Sequence, residues 1–104
     1  MSRTLLAAAF VAGAAFASAV AAQGADPNLG RNLAAACANC HGTNGVSQGG
    51  TPGLAGEPRA QIARMMQEFK TGKRPATVMH QLAKGYTDEQ IEALAAFFSA
   101  QKAK

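Results

Sequence analysis

The stretch Cys37-Ala38-Asn39-Cys40-His41 decides how the rest of this chain is interpreted. Two cysteines separated by two residues, with a histidine directly after the second, are typical of covalent c-type haem attachment. Each thiol can add across one vinyl group of the haem. The histidine then lies beneath the iron, where an imidazole is the usual ligand. The stretch therefore predicts one covalently attached haem c, with Cys37 and Cys40 as the thioether residues and His41 as an axial ligand.

Two other interpretations of the cysteine pair fit the sequence less well. A redox-active Cys-x-x-Cys pair belongs in a βαβ setting, and the chain has no alternating strand pattern. A structural zinc site needs four ligands. The chain has two cysteines and two histidines, but no second paired ligand motif.

The first 22 residues have the pattern of a secretory signal peptide. Arg3 gives a positive start, and the run from Leu5 to Val20 is apolar or small. Either Ala19-Val20-Ala21 or Val20-Ala21-Ala22 offers a small-residue cleavage site. The alternative is a retained membrane anchor, which needs about 20 strongly apolar residues. The run from Leu5 to Val20 is shorter than that, rich in alanine and only weakly hydrophobic. We therefore expect cleavage of residues 1–22 and export to the periplasm, with 23–104 forming one domain and no stable membrane insertion.

The size and charge of the remaining chain limit what it can do. About 82 residues remain after cleavage, which is near the lower limit for a self-sufficient hydrophobic core. A covalent haem would supply an apolar body around which so small a chain can pack. The net charge of +4 comes without a basic run interleaved with aromatic residues, so no nucleic-acid partner is expected.

The spacing of apolar residues predicts an all-α fold with three main helices and one short helical segment. A glycine-rich loop, 42–56, separates the first two helices and is expected to cover one haem face. A Thr-x-x-Gln capping box at Thr87 and Gln90 marks the start of the last helix. The expected elements are a helix from about Pro27 into the cysteine pair, a second from Pro58 to Thr71, the short segment Thr77 to Lys84, and a third main helix from Asp88 to about Gln101.

Four residues after the loop could provide a second axial ligand. Met65 and Met66 lie within the amphipathic second helix, where methionine usually fills the core. Met79 lies in the short segment, which can fold back over the haem, and a thioether ligand raises the potential in a way that suits electron transfer. His80 would point about 100° away from Met79 on the same helix. We therefore predict Met79 as the ligand and a surface or edge position for His80.

Four basic residues lie on either side of Met79 in the sequence. They have two interpretations, which the sequence leaves open. They could form a positive rim that steers an acidic redox partner, or they could be ordinary solvated charges near helix ends. The four are Lys70, Lys73, Arg74 and Lys84.

Taken together, these motifs resemble those of the bacterial class I monohaem cytochromes c. The resemblance covers about Asp26 to Gln101. It rests on Gly30, Cys37 to Gly42, Pro52-Gly53-Leu54, Phe69 to Arg74, Met79, and the last helix with Phe97.

This resemblance implies a fold and several residue roles. The first and last helices should cross at Gly30 and Phe97. The Pro52 carbonyl should orient the haem histidine, Pro52 and Leu54 should contact the haem, and Met79 should be the second iron ligand. The implied function is one-electron transfer, without enzymatic activity of the chain itself.

A narrower resemblance concerns Thr77 to Tyr86, which are similar to the corresponding stretch in the cytochrome subunit of flavocytochrome c sulfide dehydrogenase. It implies a redox partner of the flavoprotein class and a link to sulfide oxidation. Many such subunits carry two haems, whereas this chain has one attachment motif. A free carrier therefore remains open beside an obligate subunit. A haem-based catalyst or sensor with an open or exchangeable axial site is the other alternative.

Overall fold

The computed structural model describes residues 26–103, and this range contains five α-helices and no β-strand. The all-α class predicted from the sequence is confirmed. The predicted signal peptide, 1–22, lies outside the described residues. The helices are α1 (Leu29–Ala34), α2 (Ala38–His41), α3 (Arg59–Thr71), α4 (Met79–Ala83) and α5 (Asp88–Ser99).

The first predicted helix is present, but it tightens before the cysteine pair. A 3₁₀ turn at Ala35–Cys37 joins α1 to α2, and its flanking residues keep right-handed helical backbone angles. The chain therefore continues in one direction from Leu29 to His41. Cys37 lies on the 3₁₀ turn, whereas Cys40 and His41 lie on α2.

The chain's first and last helices pack against each other at a glycine. A Cβ atom added to Gly30 would lie 2.5 Å from the carbonyl oxygen of Ala93 and 3.0 Å from Cβ of Phe97. Any side chain at this position would push α1 away from α5, because the oxygen belongs to the backbone and cannot rotate aside. The predicted crossing of Gly30 and Phe97 is confirmed.

The buried core of the described residues is small. Its members come chiefly from α5, which contributes Ile91, Leu94, Ala95 and Phe98, and from Ile62 of α3. The other buried apolar side chains are alanines, which cover little area; they are Ala34, Ala55 and Ala83. At about 25 cal/mol per Å² of buried apolar surface, such a core gives limited stability, which agrees with a fold completed by a prosthetic group.

The start of α5 is fixed by the capping box predicted from the sequence. The backbone N–H of Gln90 donates to the Thr87 hydroxyl at 3.1 Å, and the backbone N–H of Thr87 donates to the Gln90 side-chain oxygen at 2.9 Å. Two N–H groups that the helix itself cannot satisfy are thereby paired. This cap also fixes where the segment carrying Met79 ends.

Candidate haem-binding site

His41 and Pro52 are brought together by the fold. Nδ1 of His41 donates to the carbonyl oxygen of Pro52 at 2.7 Å. A carbonyl oxygen can only accept, so Nδ1 must carry the proton, and Nε2 of the neutral ring keeps its electron pair. A histidine held in this way is fixed in rotation and has a ring nitrogen prepared to bind a metal.

The loop after α2 reaches this position through a glycine that no other residue could replace without strain. Gly42 has φ +84°, and a Cβ atom there would overlap the carbonyl oxygen of Val46. Further along, the carbonyl of Gly45 accepts from the backbone N–H groups of Leu54 at 2.8 Å and Ala55 at 3.1 Å. These contacts turn the chain back, so that the Pro52 carbonyl faces the histidine.

Of the two predicted haem contacts in this loop, Pro52 is exposed, which leaves its ring accessible. Leu54 is half-buried and packs against the hydrophobic core. The role of Pro52 towards His41 thus has a geometric basis, and direct contact of Pro52 and Leu54 with haem stays a prediction.

The two cysteines have free thiols and unequal surroundings. Cys37 is half-buried against the hydrophobic core, whereas Cys40 is exposed. Burial raises the pKa of the Cys37 thiol, and the nearby Cys40 raises that pKa further. A redox-active Cys-x-x-Cys pair needs the opposite shift, because its attacking cysteine reacts as a thiolate. The raised pKa of Cys37 therefore argues against a dithiol catalyst.

Met79 is the first residue of α4, a short helix that packs against α3. Its side chain is half-buried. On either side of it, Val78 and Leu82 each keep 53% of their surface exposed, which makes them the large apolar side chains most open to water in the described range. Apolar surface beside a thioether fits an apolar prosthetic group with a soft metal at its centre.

His80, for which a surface or edge position is predicted, has a half-buried side chain. Its Nδ1 atom is buried and makes no hydrogen bond within residues 26–103. Met66, by contrast, packs against the core as predicted for a methionine in an amphipathic helix.

The basic residues near Met79 do not act as one group. Lys70 lies 3.6 Å from an oxygen of Asp88, and Arg74 lies 2.7 Å from an oxygen of Glu68. Lys73 and Lys84 are exposed and form no ion pair with the described residues. Of the four basic residues that flank Met79 in the sequence, these two lysines are the ones without an ion pair in residues 26–103. The Glu68–Arg74 ion pair could have been suspected from the sequence, because these opposite charges lie on either side of the helix C-cap at Gly72, where the chain turns.

The residues present fit a covalently bound haem. Two free thiols stand one helical turn apart, a histidine has its Nε2 electron pair available, and an exposed apolar pair lies beside a methionine. These groups supply attachment, a metal ligand and apolar cover. The described residues offer no group of three or more histidine, cysteine, aspartate or glutamate side chains that could hold a metal ion in another way. None of the helices in this range could cross a bilayer.

Comparison with known proteins agrees with this chemistry. Residues 25–98 match the family model described as cytochrome c oxidase, cbb3-type, subunit III. The chain is 42% identical over 69 residues to the cytochrome subunit of sulfide dehydrogenase from Chlorobaculum tepidum. It is 36% identical over 77 residues to a thiosulfate dehydrogenase electron acceptor from Stutzerimonas stutzeri, and 30% identical over 81 residues to cytochrome c-554(548) from Halomonas halodenitrificans.

The relatives differ in how much of their length this chain accounts for. The matched part covers 66% of this chain and 63% of the sulfide dehydrogenase subunit, and 71% of this chain but 36% of the thiosulfate dehydrogenase acceptor. It covers 74% of this chain and 98% of cytochrome c-554(548). The five helices, the crossing at Gly30 and the Cys-x-x-Cys-His motif form a class I cytochrome c fold. The chain therefore belongs to the family of cytochrome c domains described by that model, and its cofactor is covalently bound haem c.

Proposed function

We propose that this protein is a periplasmic one-electron carrier in which Cys37 and Cys40 attach one haem c and His41 and Met79 ligate its iron. The observation that carries the proposal is the 2.7 Å hydrogen bond from Nδ1 of His41 to the Pro52 carbonyl. This bond presets the tautomer and ring orientation that an axial histidine needs. The names of the relatives, which include an electron acceptor and cytochromes, support the same role.

Each of these residues has a defined task. Haem c supplies the chemistry, a change of iron between its ferric and ferrous states. Cys37 and Cys40 anchor the group to the first helical stretch, and Pro52 keeps the His41 ring from rotating. Met79 closes the second axial position, so no substrate needs to reach the metal. A chain arranged in this way moves electrons and is not an enzyme on its own.

The alternative function, a haem catalyst or sensor with an open or exchangeable site, makes a different prediction for carbon monoxide. We expect the reduced holoprotein at neutral pH to keep an unchanged visible spectrum under carbon monoxide, because Met79 occupies the position that the gas would need. The measurement is an anaerobic absorption spectrum before and after addition of the gas. Rapid binding would favour the open-site alternative and would contradict a methionine-ligated carrier.

The proposed location rests on the signal-peptide pattern of residues 1–22, with 23–104 as the exported cytochrome c domain. Exported proteins often form disulfides. A Cys-x-x-Cys-His motif that attaches haem is compatible with export, because both cysteines are then used in thioether bonds and neither needs a disulfide partner.

A partner in sulfide oxidation is the finer part of the proposal. The relative from Chlorobaculum tepidum is a cytochrome subunit of sulfide dehydrogenase, and the resemblance of Thr77 to Tyr86 points to the same class of partner, a flavoprotein. Lys73 and Lys84 lie on either side of Met79 in the sequence, are exposed, and form no ion pair within residues 26–103. They favour a partner with an acidic docking surface.

We expect the tagged holoprotein to retain such a flavoprotein from periplasmic extract at about 0.01 M salt, where the Debye length is about 30 Å, and to release it near 0.15 M, where that length is about 8 Å. The double variant Lys73→Glu/Lys84→Glu should lose the partner at low salt. Its control, Arg31→Glu/Lys102→Glu, makes the same change in net charge at exposed positions on α1 and after α5. Equal retention by both variants would contradict steering by the two lysines, and recovery of no flavin-containing protein would favour another type of partner.

A further inference from the structure

The segment between α3 and α5, residues 72–87, carries Met79 and is tied to α3 at its beginning. Nε and Nη2 of Arg74 donate to Oε2 of Glu68 at 2.9 and 2.7 Å. The backbone N–H of Arg74 also donates to the Glu68 carbonyl at 3.2 Å. The guanidinium lies 5.8 Å from the ring centre of Phe69. Three kinds of contact thus hold one residue, and we call the set the entry contact.

A second set of contacts ties the end of the segment to the same helix, and we call it the exit contact. Nζ of Lys70 donates to the Tyr86 carbonyl at 2.7 Å and lies 3.6 Å from Oδ1 of Asp88. Nε2 of Gln67 donates to the same Asp88 oxygen at 2.7 Å. The last two turns of α3 therefore contact both ends of the segment that carries Met79.

The entry contact and the Lys70 side of the exit contact are partly shielded from water, whereas the Asp88 side chain is 80% exposed. The Glu68, Lys70 and Arg74 side chains keep 28%, 30% and 37% of their surface exposed. Charge-assisted hydrogen bonds that are partly shielded from water contribute more than fully exposed pairs do. The second ion pair of Glu68 is weaker, because Arg64 is 66% exposed and its Nε lies 3.7 Å away.

The middle of the segment is held by the packing of α4 on α3, but few of its side chains are buried. Ala83 is the buried residue of α4, and the large side chains of Val78 and Leu82 are exposed. The N-terminus of α4 has no side-chain cap. A five-residue helix with this little burial is not stable alone. Its position must therefore be imposed from outside, by its packing on α3 and by the contacts at its two ends.

We propose that the entry and exit contacts are positioning contacts, which hold Met79 against the iron and keep small molecules from taking its place. The inference rests on the proposed function, because it requires Met79 to be the ligand. Arg74, Glu68 and Lys70 act through Met79 and touch no reacting atom themselves. Two of the four basic residues near Met79 thereby receive a role that differs from steering a partner.

The test measures how readily added imidazole displaces Met79 in the ferric holoprotein. The near-infrared sulfur-to-iron band reports methionine ligation, and its loss during an imidazole titration gives the affinity. We expect Arg74→Gln and Glu68→Gln to raise the affinity for imidazole by roughly fivefold to tenfold, the size of effect that loss of a partly shielded charged hydrogen bond gives. Arg74→Lys, which keeps the charge but loses the planar fork, should lie between native and Arg74→Gln.

Two control variants separate this effect from simple loss of charge. Arg64→Gln is the control for Arg74→Gln, because it removes one positive charge from the weaker partner of Glu68. Lys73→Gln is the control for the exit variant Lys70→Gln, because it removes one positive charge from a nearby lysine. Both controls should bind imidazole within about twofold of the native protein, whereas Lys70→Gln should bind more tightly. Urea unfolding followed by far-ultraviolet circular dichroism measures global stability in each variant.

The outcomes distinguish three cases. The proposal holds if imidazole affinity rises in Arg74→Gln, Glu68→Gln and Lys70→Gln by more than the change in global stability explains. It is overturned if these variants bind imidazole like the controls, or if the gain merely follows global unfolding. A native protein that lacks the sulfur-to-iron band would instead refute ligation by Met79, on which the proposal rests.

Discussion

Replacing Cys40 by alanine is expected to leave the holoprotein with a single covalent link, and Cys37→Ala should be more damaging still. Either change removes one thioether from a domain whose buried core is small. The loss of a covalent staple from a small domain costs on the order of 2–5 kcal/mol when the staple is a disulfide, and we expect a comparable cost here. Cys37 also packs against the hydrophobic core, whereas Cys40 is exposed. Truncation at position 37 should therefore cost about 1 kcal/mol more.

The measurement is the yield of haem that stays with the chain after denaturation, together with the free energy of unfolding in urea. Asn39→Ala is the matched control, because it lies between the two cysteines, is exposed and carries no thiol. The double variant Cys37→Ala/Cys40→Ala should retain no haem after denaturation. Equal stability of the two single variants would contradict the unequal burial of the two sulfurs.

The features best predicted from the sequence are those that depend on neighbours along the chain. Thr87 and Gln90 form a capping box because the two residues are one helical turn apart, and both expected hydrogen bonds are present. The bounds of α3 and α5 follow from apolar periodicity in the same way. The 3₁₀ turn at Ala35–Cys37 was not predicted, since three small residues fit a 3₁₀ turn and an α-helix almost equally well.

Contacts between distant residues needed more than spacing. The pairing of His41 with Pro52 was expected from family resemblance, and no local rule would have placed a carbonyl opposite an imidazole eleven residues away. The fold achieves it with a glycine of positive φ at position 42. Likewise, Gly30 weakens a helix in isolation, and only the approach of Ala93 and Phe97 explains why it is there.

Side-chain contacts across a loop were the least predictable. In the sequence, Lys70 and Arg74 form one basic group with Lys73 and Lys84, because charge alone cannot tell a paired cation from an unpaired one. The structure separates them: Lys70 and Arg74 bind acidic or carbonyl oxygens on neighbouring elements. Such pairing depends on how the chain turns after Gly72, which charge and spacing in the sequence do not show. Of the four cations that could form a positive rim, two are therefore used in contacts within the chain.

Met79→Ala is expected to abolish the sulfur-to-iron band in the near infrared and to lower the reduction potential. A thioether stabilises ferrous iron relative to ferric iron, so its loss favours the oxidised state. Axial ligands set haem potentials over a range of about 0.8 V. A fall of at least about 59 mV, which is a tenfold change in a one-electron equilibrium, is therefore expected.

Two further substitutions show whether loss of the sulfur-to-iron band in Met79→Ala reports loss of the iron ligand itself, and whether another residue replaces that ligand. Met66→Ala is the matched control: Met66 packs against the core from α3, so this variant should lose stability by about 2–5 kcal/mol while keeping the band. His80→Ala in the Met79→Ala background asks whether the neighbouring imidazole, whose Nδ1 lacks a hydrogen-bond partner in residues 26–103, takes the vacant position. Binding of carbon monoxide should be slow in Met79→Ala and fast in the double variant if it does, and fast in both if it does not. A sulfur-to-iron band that survives in Met79→Ala and disappears in Met66→Ala would move the ligand to α3 and refute the site proposed for this chain.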